Sequence, residues 1–180
     1  MDEQKGFSLD GFALQKYQPN RYPFLMIDYV TEVIPGKSAK GYKNLSNNEW
    51  YFPKHFEGHP NMPGALQLEA LAQMLTVAIT TLPGMAGYAT HAMKHVVRFR
   101  KEIFPGERLD IETEVKSWKR GICIGTGRGY TNRTLACEAE QHLLIGFFNI
   151  TEISTETVFI KLVTRCSVPE STCVRRNFIP

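Results

Sequence analysis

The sequence predicts an α+β fold in which an antiparallel β-sheet wraps around one central buried α-helix. Residues 66–82 are apolar on almost every face of a helix, which is typical of a helix enclosed by the rest of the fold. Residues 109–118 then alternate mostly apolar with charged side chains, the period of a strand with one wet face. Because the apolar faces must bury each other, we expect the strands to curve around the helix.

The elements before the helix form a predicted strand pair. Residues 24–34 are rich in β-branched and aromatic side chains, and residues 38–45 predict the returning strand. Between them, Pro35, Gly36 and Lys37 predict a turn.

The elements after the helix form a predicted meander. Pro83 and Gly84 end the helix, and Lys119, Arg120 and Gly121 predict a turn between two of the strands. The predicted strands are residues 88–103, 109–118, 122–130 and 134–150, with residues 158–163 as one further candidate.

Length and composition are ordinary for one globular domain. The chain has 180 residues, of which 43% are hydrophobic and 22% charged, enough for a sizeable core. We assign residues 17–150 to this domain, residues 1–16 to a lead-in segment, and residues 151–180 to a C-terminal extension of unknown role.

The charge and the polar beginning of the chain limit its expected partners. The formal net charge of +3 is mild and no Lys/Arg run is present, so we expect no nucleic-acid partner. Residues 1–6 contain no apolar signal core, and no apolar run is long enough to cross a bilayer. These features predict a cytoplasmic protein without a membrane segment.

The four cysteines, Cys123, Cys137, Cys166 and Cys173, show no CxxC spacing. Reduced and partly buried thiols are therefore expected, rather than a zinc ribbon or a redox motif.

The loop that precedes the helix carries the most chemistry. Gly58, Pro60, Pro63 and Gly64 interrupt residues 54–64 too densely for regular structure. His55 lies in this loop, and the helix contains Glu69, fourteen residues later. An acid in an apolar helix is costly unless it is paired or its pKa rises, and a proton-transfer site needs such an acid.

This region resembles the β-hydroxyacyl-(acyl carrier protein) dehydratases of fatty-acid synthesis. The residues that carry the resemblance are His55, Phe56, Gly58, Pro60, Met62-Pro63-Gly64, Glu69-Ala70 and Ala72-Gln73. Residues 21–28, 97–101, 105–109 and 137–140 resemble strand and turn motifs of the same family. The resemblance covers roughly residues 17–148, and it implies a hotdog fold in which His55 and Glu69 are the catalytic pair.

The chain departs from the family's pattern at a few positions. Pro53-Lys54 stands where a Gln-Gly step is usual, and Glu57 replaces a common proline. These departures leave the catalytic pair intact and are compatible with fatty-acid or related acyl or polyketide biosynthesis. Glutamate at position 69 resembles the simple dehydratases, since the bifunctional dehydratase-isomerases carry aspartate.

Dehydration of a 3-hydroxyacyl thioester needs a base, an acid and donors for the thioester oxygen. His55 suits the base because imidazole titrates near neutral pH. Glu69 is either the acid or, if ionised, a group that positions the hydroxyl or a water. The N–H groups of Gly64 and Ala65 at the helix start are the expected oxyanion and substrate-binding donors.

No metal or organic cofactor is required for this chemistry, because side chains and backbone N–H groups supply the base, the acid and the donors. The resemblance implies a substrate carried on the phosphopantetheine of acyl carrier protein. His59 lies four residues after His55, but Gly58 breaks any helix between them, so a metal site is not expected.

Two kinds of partner are expected. Strand alternation would place Lys94, Arg98 and Arg100 on one face, either as a docking patch for the acidic acyl carrier protein or as an ordinary solvated face. The resemblance implies a homodimer or a trimer of dimers. Two other functions stay open: a hotdog acyl-thioesterase that uses Glu69 and water, and a non-catalytic acyl-carrier-binding module.

Overall fold

The computed structural model describes residues 6–146 and, as backbone, residues 159–162. Its elements in chain order are β1 (Phe7–Leu9), α1 (Gly11–Leu14), β2 (Tyr29–Ile34), β3 (Ser38–Asn44), α2 (Gly64–Thr80), β4 (Thr90–Phe99), β5 (Arg108–Lys119), β6 (Ile122–Thr131), β7 (Thr134–Ile145) and β8 (Phe159–Leu162).

The strands form one sheet in the order β1-β2-β3-β5-β6-β7-β4-β8. All neighbours in this sheet are antiparallel except β8, which pairs in parallel with β4. Helix α2 contacts strands β2 to β7, so the sheet wraps around it. The α+β prediction of an antiparallel sheet around a central helix, the hotdog fold, is confirmed.

Helix α2 forms the centre of the core because small residues of the sheet let it approach closely. Ala70, Leu71, Met74 and Leu75 are fully buried. A Cβ atom on Gly125 of β6 would lie only 2.7 Å from the Leu75 side chain. A side chain at this position would therefore push the helix away from the sheet.

The lead-in segment takes a larger part in the fold than the sequence predicted. Leu9 of β1 and Leu14 of α1 are buried in the core. The Asp10 carboxylate caps α1 by accepting hydrogen bonds from the Phe12 and Ala13 N–H groups. Elements of three and four residues are too short to show a period, which is why the prediction missed them.

Two predicted strands are longer than the observed ones. The strand predicted from residue 24 begins at Tyr29, because the Phe24 and Leu25 N–H groups both turn back to the Arg21 carbonyl oxygen. The strand predicted over residues 88–103 ends at Phe99. The Arg100 and Lys101 N–H groups share the Ala136 carbonyl oxygen, which ends the regular ladder.

The C-terminal predictions are described only in part. Strand β8 lies within the strand predicted over residues 158–163, and its neighbours 158 and 163 lie outside the described residues. Residues 147–150 of the strand predicted over 134–150 also lie outside them, as do Cys166 and Cys173.

The two described cysteines are free thiols. Cys123 and Cys137 are buried, and burial raises the pKa of each thiol to about 12. The prediction of reduced thiols is confirmed for this pair, and both are fully rather than partly buried. In the part of the chain that the structure describes, no helix is both long and apolar enough to span a bilayer.

Candidate active site

The loop before α2 holds the His55 ring in one orientation. The His55 carbonyl oxygen accepts a hydrogen bond of 2.7 Å from the Asn61 N–H, and Nδ1 of His55 lies 3.0 Å from the Asn61 carbonyl oxygen. A carbonyl oxygen only accepts, so Nδ1 carries the proton and Nε2 keeps a free lone pair. The half-buried ring also stacks on Phe56, with 4.1 Å between the ring centroids.

A clamp made of His59, Asn61 and Glu102 ties this loop to the segment after β4. The Asn61 amide donates to the Glu102 carboxylate at 3.3 Å, and Nε2 of His59 lies 3.1 Å from the same carboxylate. The Met62 N–H donates to the Ile103 carbonyl oxygen at 2.8 Å. The rings of His59 and His55 therefore bond different residues, Glu102 and Asn61.

An ion cluster around the buried Lys43 anchors the beginning of the same loop. Nζ of Lys43 lies 3.1 Å from Asp28 and 2.8 Å from Glu49. Burial opposes the charge of Lys43, but the bonds and charges of Glu49 and Asp28 raise its pKa above the ordinary value. Tyr51, which is 2% exposed, follows this cluster and fixes the chain four residues before His55.

Gln73 orients the carboxylate of Glu69. Nε2 of Gln73 donates to Oε1 of Glu69 at 2.8 Å and to the Phe24 carbonyl oxygen at 2.6 Å, while its oxygen accepts from the Met26 N–H at 2.8 Å. All hydrogen-bonding groups of this buried amide are thus used, and Oε2 of Glu69 is left for another partner.

Glu69 lines a cavity of about 240 Å³ between α2 and the sheet. The other lining residues are Gln18, Pro19, Asn20, Ala72, Gln73, Thr76, Ala89, Thr90, Ala92 and Leu143. Polar and apolar side chains contribute about equally in number, so this cavity is not a purely hydrophobic chamber.

The start of α2 offers backbone donors to a groove of about 440 Å³. The Leu66 and Gln67 N–H groups both donate to the Pro63 carbonyl oxygen, and helix geometry leaves the first N–H groups, those of Gly64 and Ala65, without intrahelical acceptors. A Cβ atom on Gly64 would lie 2.7 Å from the ring of Phe99. Glycine therefore keeps this donor accessible beside the ring.

The described chain orients His55 and Glu69 by separate contacts. Among the described residues, no hydrogen bond joins the two side chains, and His55 does not line the cavity that contains Glu69. The single chain thus holds two separately oriented halves of the predicted catalytic pair.

The predicted docking residues are partly neutralised. Lys94 and Arg98 lie exposed on β4, whereas Arg100 follows the end of that strand, which corrects the expectation of one strand face for all three. Arg98 lies 3.9 Å from the Glu138 carboxylate, and Arg100 bonds the same carboxylate. The two arginines therefore share an outer side of the sheet, together with one compensating charge.

The supporting residues Asn61, Gln73 and Glu102 were not assigned roles from the sequence. Asn61 and Gln73 stand inside the stretch that carries the family resemblance, so their position was a usable signal. Glu102 comes from a segment 41 residues after Asn61, and only the folded chain reveals their contact.

Comparison with known proteins agrees with these observations. Residues 18–140 match the FabA-like domain family. The 3-hydroxyacyl-(acyl carrier protein) dehydratase FabZ of Moorella thermoacetica is 45% identical over 139 residues, which are 77% of this chain and 97% of that protein. FabZ of Desulforamulus reducens is 44% identical over 77% of this chain and 98% of that protein.

Among solved structures, the dehydratase heterocomplex ApeI:P from Xenorhabdus doucetiae is similar with a TM-score of 0.66 at 17% identity. The match covers 77% of this chain and 93% of that chain, and it shows the likeness of the folds.

Proposed function

The chain belongs to the FabA-like family, and we propose that it dehydrates (3R)-3-hydroxyacyl groups on acyl carrier protein to trans-2-enoyl groups. The relatives that carry the dehydratase name match nearly their whole length. The observation that supports this function best is the orientation of His55, whose Nδ1 is occupied by a carbonyl oxygen and whose Nε2 is free to take a proton.

In the proposed reaction His55 and Glu69 move the two protons. Nε2 of His55 takes the proton from C2, and the electrons of that C–H bond form the C2–C3 double bond. The C3–O bond breaks as Glu69 protonates the leaving hydroxyl, which departs as water. Since Oε1 of Glu69 accepts from Gln73, the transferred proton sits on Oε2.

The thioester oxygen gains negative charge during this step. The N–H groups of Gly64 and Ala65, at the positive end of the α2 dipole, are the proposed donors to that oxygen. All groups in this scheme belong to the protein, and the acyl group arrives on the phosphopantetheine of its carrier.

A homodimer would complete the site. Because His55 and Glu69 are oriented separately in one protomer, we propose that His55 of one chain works with Glu69 of another, in a dimer or a trimer of dimers. Lys94, Arg98 and Arg100 are the proposed contacts for the acidic carrier protein, and the cytoplasm is the proposed location.

The test is an assay of the full chain with a 3-hydroxyacyl thioester of pantetheine and with the same group on acyl carrier protein. We expect enoyl thioester and water to form without release of free thiol. Thiol release would instead identify a thioesterase. Binding of the acylated carrier without turnover by correctly folded protein would identify a non-catalytic module.

A further inference from the structure

Two buried polar side chains face each other on the inner side of the sheet. His95 of β4 and Gln141 of β7 are direct partners in the antiparallel register, and they are 4% and 0% exposed. Side chains of such partners lie on the same face with Cβ atoms about 4.5–5.5 Å apart. The imidazole and the amide therefore occupy one location between the sheet and α2.

Three polar side-chain atoms of this pair are buried without a partner among the described residues. Within the described residues, neither Nδ1 of His95 nor either polar atom of the Gln141 amide makes a hydrogen bond. Buried polar groups in folded proteins are nearly always paired, because an unpaired one loses its bonds to water. The buried amide of Gln73 shows the ordinary case, with three hydrogen bonds.

The pair adjoins the cavity that contains Glu69. Ala92 and Leu143 form the register pair that follows Lys94 and His142 along β4 and β7, beyond a bulge, and both line that cavity. Thr90 also lines it, and its buried hydroxyl likewise has no partner among the described residues. The unpaired polar atoms thus run along one wall, from the cavity toward the interior of the sheet.

The chemistry of this wall fits a small group that both donates and accepts. Burial, and next the charge of His142, lower the pKa of His95, so its ring is neutral near pH 7. A neutral imidazole and an amide together offer donors and acceptors. A hydroxyl can bond both, whereas the end of an alkyl chain can bond neither.

We propose that His95 and Gln141 form a polar recognition site for the acyl chain, so that the preferred substrates carry a hydroxyl group away from the thioester. This inference rests on the proposed function, since it concerns the acyl group of the same substrate. It predicts that the chain end is selected by hydrogen bonding as well as by length.

The test measures binding separately from catalysis. Pantetheine thioethers, which cannot be dehydrated, are prepared in pairs of equal chain length that end in a methyl or a hydroxyl group. Calorimetry with the full chain should show tighter binding of the hydroxyl compound by about tenfold at one chain length, the effect of roughly one hydrogen bond. Gln141→Met should abolish this preference.

Thr113→Val is the matched control, because Thr113 is also buried but donates to the Ala39 carbonyl oxygen on another strand pair. It should keep the wild-type preference. If Gln141→Met does not fold, His95→Met replaces it and should reduce the preference.

Equal binding of the methyl and the hydroxyl compound at every chain length would refute the recognition site. The unpaired atoms of His95 and Gln141 would then bond only water. A preference that survives Gln141→Met would also overturn it. Loss of dehydration with intact discrimination would instead refute the proposed function alone.

Discussion

The Nδ1 atom of His55 lies 3.0 Å from the carbonyl oxygen of Asn61. This contact settles which ring nitrogen carries the proton when the imidazole is neutral, because a carbonyl oxygen cannot donate. It also fixes the ring plane, since the Asn61 N–H bonds the His55 carbonyl oxygen in return. A base whose free nitrogen is held in place loses little entropy when it meets its substrate.

Substitution of either member of the catalytic pair should remove most dehydration. We expect His55→Ala and Glu69→Gln each to lower kcat by on the order of 10²–10⁴, the usual effect of losing a general acid or base. Glu114→Gln is the control, since that exposed carboxylate lies on β5, outside the loop and the helix that hold the pair. Near-normal turnover by a folded His55 or Glu69 variant would contradict the mechanism.

Gln73→Leu should lower both stability and activity. It leaves the Met26 N–H without its acceptor, which costs about 1–3 kcal/mol, and it frees the Glu69 carboxylate to rotate. Denaturant unfolding and kcat per folded molecule measure the two effects. Thr113→Val should lower stability alone, so a kcat loss of the same size in both variants would show that Gln73 does not position Glu69.

Much of the fold could be predicted because its elements show clear periods. The apolar run over residues 66–82 predicted α2, and the alternation over residues 109–118 predicted β5 nearly to its ends. The prediction missed strand ends that are set by individual backbone hydrogen bonds. The end of β4 at Phe99 depends on hydrogen bonds to Ala136, which is distant in sequence.

Site residues that belong to a sequence motif could be predicted. Site contacts that form only when distant segments pack together could not. His55 and Glu69 followed from the loop and helix pattern, and their roles remain a prediction. The Glu102 contact to Asn61 joins segments that no local pattern connects. The unpaired Gln141 was also invisible, because a glutamine in a strand pattern gives no sign of whether its amide finds a partner.

Hybrid sites should form when two inactive variants are mixed. If each site uses His55 of one chain and Glu69 of another, His55→Ala and Glu69→Gln protomers together create some sites with both native residues. For a dimer with random exchange in an equal mixture, about half of the dimers contain both variants. Each of these has one native site out of two across its isologous interface, so about one quarter of all sites should be native. Monomeric mass in solution, or no rescue after verified subunit exchange, would exclude a shared site.

Charge reversal at Arg98 should weaken turnover of carrier-bound substrate more than turnover of a short pantetheine thioester. Arg98 is exposed and only loosely paired with Glu138 at 3.9 Å, so its charge is available to an acidic partner. The difference should shrink as salt rises, because exposed charges are screened over about 8–10 Å near physiological ionic strength. Lys116→Glu serves as the control. Lys116 is also exposed, but it lies on β5, which β6 and β7 separate from the strand of Arg98. Equal losses on both substrates would assign Arg98 to folding instead.

The free energy of unfolding should decrease as the pH falls below about 6.5, the ordinary pKa of histidine, and His95 should contribute to this decrease. Burial and then the charge of His142 lower the pKa of His95 in the folded chain, so the unfolded chain binds its proton first as the pH falls. One such group contributes a slope of up to about 1.4 kcal/mol per pH unit until the folded pKa is reached, and nothing above the unfolded pKa. Denaturant unfolding between pH 8 and about pH 5 should show a shallower slope for His95→Gln than for the native chain. Parallel curves for the native chain and His95→Gln would show that His95 takes up its proton equally well in both states.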